Sequence, residues 1–132
     1  MKHLTTLLLT LLVSGSLWAD GAKTLDLVLQ EVANEYSKLL PIRLDAVMTV
    51  TKVYAGLNKS LVYEYELKVK SDITKKGIEK LRNISFEREK NNYCSNPELK
   101  IYRENNIALE HYFTDTSRRF LFNIIIDKTL CD

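Results

Sequence analysis

Histidine is scarce. The 132 residues hold two, and one of them is His3. Zinc takes four protein ligands in structural use, or three plus water in catalytic use. Beyond His3 the chain offers one histidine and two cysteines, with no close C-x-x-C or H-x-x-x-H pair, so no zinc site is expected. Glycine and proline are also few, at four and two. There is no glycine-rich phosphate loop and no G-x-S-x-G nucleophile turn. Nor is there a linker rich in these residues, a repeat, or a low-complexity segment. An excess of one charge is missing too. The formal net charge is +2, and no block of five or six like charges occurs. A nucleic-acid-binding face is normally basic with interleaved aromatics. "ITKKGIEKLRN" is locally basic, but "FEREKNN" soon balances it. The apolar run from Leu4 to Val13 is shorter than the ~20 residues of a spanning helix, and threonine interrupts it.

That run has another use. "MKHLTTLLLTLLVSGSLWA" places Lys2 first, an apolar stretch next, and small residues before Ala19. This is the pattern of a cleavable secretory signal. Residues 1–19 are expected to be removed, leaving residues 20–132 as one disulfide-stabilised domain in a bacterial periplasm. No cysteine lies near the cleavage point, so no lipid anchor and no stable membrane insertion are expected afterwards.

Cys94 and Cys131 are the only cysteines. An even count in an exported chain reads as a disulfide. A Cys–His nucleophile would need one thiol unpaired beside His111.

Hydrophobic periodicity orders the rest. In "TLDLVLQEVANEYSKLLP", Leu25, Val28, Leu29, Val32, Tyr36, Leu39 and Leu40 recur at helical spacing, between a Thr24 cap and Pro41. "IRLDAVMTVTKV" switches to period two, with Ile42, Leu44, Met48 and Val50 on one face and Arg43, Asp45 and Thr49 on the other. "AGLNKS" turns the chain. In "LVYEYELKVK", Leu61, Tyr63, Tyr65 and Leu67 oppose Glu64, Glu66 and Lys68. A helix is expected over "ITKKGIEKLRNISFEREKNNYC", with Ile78, Leu81 and Ile84 as its stripe. Asn96-Pro97-Glu98 starts a short helix that stops near Asn105-Asn106. A second hairpin closes the chain: Ile107, Leu109, His111 and Phe113 share a face, as do Phe120, Phe122, Ile124 and Ile126. The order α-β-β-α-β-β implies an α+β domain, with a four-stranded antiparallel sheet and its helices packed on one face.

"LPIRLDAVMTV", "LVYEYEL", "YCSNPELK", "EHYFTD" and a final cysteine follow one another in an order that resembles a loose family of small exported bacterial proteins of unassigned role. In that pattern a proline and an aspartate open the first strand, Tyr-x-Tyr marks the second, and the two cysteines pair. Asn105-Asn106 stands where a glycine is usual, and Met48 where a threonine is. The resemblance implies no catalytic residues. Small disulfide-bonded α+β domains of the envelope also include secretion pilotins and immunity or inhibitor proteins, an analogy of fold alone.

No catalytic constellation, cofactor or metal is expected. Glu64 and Glu66, about 7 Å apart on one strand face, suit a solvated charge pattern better than glycoside hydrolysis. The leading expectation is a non-enzymatic periplasmic module that binds another envelope protein. Its surface would be the outer sheet face or a sheet edge, with Arg43, Asp45, Glu64, Glu66, Lys68, Tyr112 and Arg119 as contacts. One alternative is a small-ligand pocket between sheet and helices, lined by Tyr63, Tyr65 and His111. A second is a pilotin-like secretion accessory, or an immunity or inhibitor protein.

Overall fold

The computed structural model describes residues 24–131; the expected leader, residues 1–19, lies outside them. Helix α1 (Leu25–Ser37) is followed by β1 (Ile42–Arg43), β2 (Met48–Ala55) and β3 (Ser60–Leu67). The long helix α2 (Lys75–Ser95) leads through a 3-10 turn (Pro97–Leu99) into α3 (Lys100–Glu104). Strands β4 (Ala108–Asp115) and β5 (Phe120–Ile126) complete the fold.

The α+β class is as expected, but the sheet is not. It has five strands in the order β1-β2-β3-β4-β5, and β3 pairs with β4 in parallel. The other pairs are antiparallel. The reason lies in the connection. Residues 68–107 hold α2 and α3, and this helical crossover carries the chain back to the end where β3 began, so the next strand runs the same way. The extra strand comes from a turn inside the stretch that reads as one strand. Asp45 Oδ1 accepts from the backbone N–H of Val47 at 2.7 Å and of Met48 at 2.8 Å. The chain folds back there, setting Ile42 opposite Val50 and Arg43 opposite Thr49.

The helices cover one face. Thr24 caps α1 by accepting from the Leu27 N–H at 3.3 Å. Val28, Leu29, Val32, Ala33 and Tyr36 are buried, and α1 packs over β2. The helix stops at Ser37, so Leu39 leaves the expected stripe and stands half exposed. Helix α2 packs over β5. The helix has Ile78 and Leu81 of its expected stripe half-buried against the core, while Ile84 is exposed. Its buried positions are Ser85, Glu89 and Tyr93, four residues apart on one side. The burial of Glu89 is met by Arg88, whose guanidinium lies 3.2 Å from the carboxylate.

The start of the next element is as expected. Asn96 Oδ1 accepts from the Glu98 N–H, Pro97 opens the turn, and Asn106 takes φ 56° after α3. Arg103 donates to the carbonyls of Tyr93 and Asn96, joining α3 to the end of α2. Cys94 and Cys131 form the disulfide, with Cα atoms 5.4 Å apart. It ties the end of α2 to the segment after β5. Closing this 37-residue loop contributes about 4 kcal/mol on the chain-entropy account.

Candidate functional site

On the helix-covered face of the sheet the parallel register sets Tyr63 opposite His111 and Tyr65 opposite Phe113. A continuous ring ladder results. Tyr36 meets Tyr63 edge-on with centroids 5.4 Å apart, and His111 stacks 5.6 Å from both Tyr63 and Tyr65. Tyr65 then stacks on Phe113 at 4.6 Å, and Phe113 meets Phe122 at 4.5 Å. The three residues expected to line a ligand pocket are therefore brought together, in contact with one another. Tyr63, Tyr65 and His111 are 0%, 3% and 2% exposed.

The chemistry of this cluster is inward. The Tyr65 hydroxyl and His111 Nδ1 form a 2.8 Å hydrogen bond. Burial pushes the His111 imidazole below its ordinary pKa, and the nearby Glu89 carboxylate opposes that in part. Burial likewise raises the Tyr63 and Tyr65 hydroxyls far above the usual range, so both stay protonated. A Cys–His nucleophile has no thiol to use, because both cysteines are in the disulfide. Among the described residues no three metal-capable side chains come together.

The opposite face carries part of the expected contact set. Glu64, Glu66 and Tyr112 point outward between the buried positions of β3 and β4. Lys68 lies exposed just beyond β3. Arg43 sits on the two-residue edge strand, where its Nε donates to the Asp45 carbonyl at 3.2 Å. Asp45 is occupied in closing its turn. Arg119 is tied to Asp115: its backbone N–H donates to Oδ1 at 2.8 Å and its Nε to Oδ2 at 3.0 Å. Those bonds, with one from the Ser117 N–H, hold the Asp115 carboxyl below its usual range. The seven residues thus divide between a shared face and two turns.

Sequence reasoning missed the apolar part of this face. A register shift between Val50 and Lys52 leaves Thr51 as an extra residue. Val53 is turned to the core, and Lys52 and Tyr54 face out. A second shift in β5 opposes Phe122 to Phe113 but Phe120 to Thr114. Leu121 becomes buried, and Phe120 turns out against Tyr112 with ring centroids 4.9 Å apart. This corrects the expected single face of Phe120, Phe122, Ile124 and Ile126. Tyr54, Phe120 and Ile125 are 42%, 49% and 52% exposed, and Leu57 at the β2–β3 tip is 86% exposed.

Several of these residues line an open groove of about 510 Å³, with Val62 and Ala108 among its lining and the carboxylates of Glu110 and Asp127 beside them. Gly56 lets the turn close against the groove. A Cβ there would fall 2.4 Å from Ser60 Oγ and 2.8 Å from Val62 Cγ2. The Tyr54 hydroxyl donates to Glu64 Oε2 at 2.7 Å. Burial of the hydroxyl, that hydrogen bond and the charges of Glu64 and Glu110 push its pKa up to about 12.

No protein-family model matches the chain, and no curated protein matches it. Solved structures do. The chain is similar to a candidate secreted protein from Pseudomonas aeruginosa, with TM-score 0.67 and 16% identity over 82% of this chain and 93% of that one. It is similar to EpsS, the pilotin of the Vibrio vulnificus type 2 secretion system, with TM-score 0.62 and 13% identity over 82% and 92% of the two chains. It is also similar to AspS, the type II secretion system pilotin of Vibrio cholerae, with TM-score 0.60 and 12% identity over 81% and 92%. At these identities the likeness is one of fold.

Proposed function

We propose that this protein is a non-catalytic accessory protein of the bacterial envelope, of pilotin type, which binds another envelope protein through the outer face of its sheet. One observation carries the reading: the fold shared with two type II secretion pilotins across most of both chains. Fold alone does not assign function, so the surface must supply the rest. Support for the reading comes from Tyr54, Phe120 and Ile125, large apolar side chains exposed on the face that carries Glu64, Glu66 and Tyr112. Tyr54 and Ile125 share one groove, and apolar area grouped in this way on a small protein marks an interaction site more often than a neutral surface. The leader pattern in residues 1–19 and the Cys94–Cys131 bridge support a periplasmic location, where disulfides persist.

The test is capture of the tagged protein from an envelope extract without reductant, with the eluate identified by mass spectrometry. The expected result is one stoichiometric partner that belongs to a secretion apparatus. A bare monomer would contradict the proposal.

A further inference from the structure

We infer that the groove at the β2–β3 end of the outer sheet face takes a partner segment that is apolar and carries lysine or arginine. This rests on the protein-binding reading above and states what the partner must present.

The apolar requirement comes from the lining. Tyr54, Leu57 and Ile125 border the groove, and all three are exposed. Covering such area is favourable at roughly 25 cal/mol per Å². The charge requirement comes from the carboxylates. Glu110 Oε2 accepts a 3.3 Å bond from the Asn123 amide, and Asp127 Oδ1 accepts from the Thr129 N–H at 2.9 Å. The Thr129 hydroxyl also donates to Asp127 Oδ1, and all three donors are neutral. Among the described residues no cation pairs with either carboxylate, since the ion pairs join Lys38 to Glu35, Arg88 to Glu89, Lys100 to Glu104 and Arg119 to Asp115. Lys52 on β2 stands opposite Glu64 on β3, and Lys59 and Lys128, exposed neighbours of the groove in sequence, form no ion pair with either carboxylate. The Tyr54 hydroxyl is bound by Glu64 and also feels Glu110, so the negative field reaches the groove itself.

These conditions discriminate between occupants. A purely apolar segment would cover Glu110 and Asp127 without replacing their water, and burying an uncompensated charge is costly. An acidic segment would add like-charge repulsion. A segment with apolar side chains and one or two basic groups meets both parts of the lining, and the charge match also speeds encounter.

The test uses ¹⁵N-labelled protein and two synthetic peptides of equal length and equal leucine content, one alternating leucine with lysine, the other leucine with glutamate. The lysine peptide is expected to saturate, with amide shifts centred on residues 54–62, Glu110 and Ile125. The glutamate peptide is expected to bind about tenfold more weakly or worse. Glu110→Gln combined with Asp127→Asn keeps both hydrogen-bonding shapes and should weaken the lysine peptide about fivefold or more. Ile125→Ser should remove saturable binding while the rest of the spectrum stays in place. Equal affinity for the two peptides, shifts centred on another surface, or groove shifts that depend only on protein concentration would overturn the inference. The wider reading is checked separately. If an envelope partner is captured equally by the wild type and by Ile125→Ser, docking lies elsewhere and this inference alone falls. If the wild type captures no partner, the protein-binding reading falls as well.

Discussion

The two faces of this sheet are built from the same strands and behave as opposites. The inner face hides polar groups: Tyr65 and His111 satisfy each other, and Glu89 comes down from α2 with Arg88 as its partner. The outer face leaves apolar groups in water: Tyr54, Phe120 and Ile125 have no helix above them among the described residues. Exposed apolar atoms are common on any protein, but buried polar groups and clustered apolar exposure carry information. Here the first marks the side that holds the fold, and the second is the surface proposed to meet a partner. His111 is buried and walled in by rings.

The contrast can be broken most strongly from the inside. Phe113→Ala removes the ring shared by Tyr65 and Phe122 and should cost about 3–5 kcal/mol, read as a shifted denaturant midpoint. A loss under about 1 kcal/mol would mean that the ladder is not the core.

A smaller effect comes with pH. The folded His111 has a lowered pKa, so the unfolded chain takes up a proton first as pH falls. Stability is then full above the ordinary value of about 6.5 and declines below it. His111→Phe keeps a ring in the stack and should flatten the decline between about pH 7.5 and 5.5 in thermal melts. An unchanged slope would remove His111 as the cause. Asp115 acts lower. Its folded pKa is depressed, so its contribution is present above the unfolded value near 4 and is lost as pH falls through the folded one.

The smallest effect on stability belongs to the outer face. Ile125→Ser should lower unfolding free energy by about 1 kcal/mol, well short of Phe113→Ala, because only half of the side chain is covered. It should nevertheless abolish partner capture. A large loss of stability with partner capture intact would erase the distinction between the faces.

How much of this could be read from residues alone follows the same division. The inward set of β3 was legible, since Leu61, Tyr63, Tyr65 and Leu67 keep strict period two with no bulge. The disulfide was legible from cysteine count and the export pattern. The sheet was misread for two reasons. The Asp45 turn is a local side-chain closure that leaves hydrophobic alternation nearly intact. The parallel pair follows from the length of the helical crossover, which period analysis ignores. The outer apolar patch was hidden by bulges at Thr51 and Leu121, which no glycine or proline announces. Ile125 was legible by period, since Phe122, Ile124 and Ile126 do share the buried face, and it is Phe120 that the bulge turns out. Helix α2 was legible in part: Ile78 and Leu81 pack on the core, but its fully buried line includes Glu89, and a count of apolar residues cannot find a paired charge.

The most direct measurement places a photoreactive amino acid at position 125 in one variant and at position 84 in another, followed by irradiation in intact cells. Ile125 and Ile84 are almost equally exposed, at 52% and 55%, but lie on the outer sheet face and on α2. One dominant envelope-protein adduct from position 125 and none from position 84 is the expected outcome. Adducts from position 84 with none from position 125 would contradict the claim that the bare sheet face is the working surface.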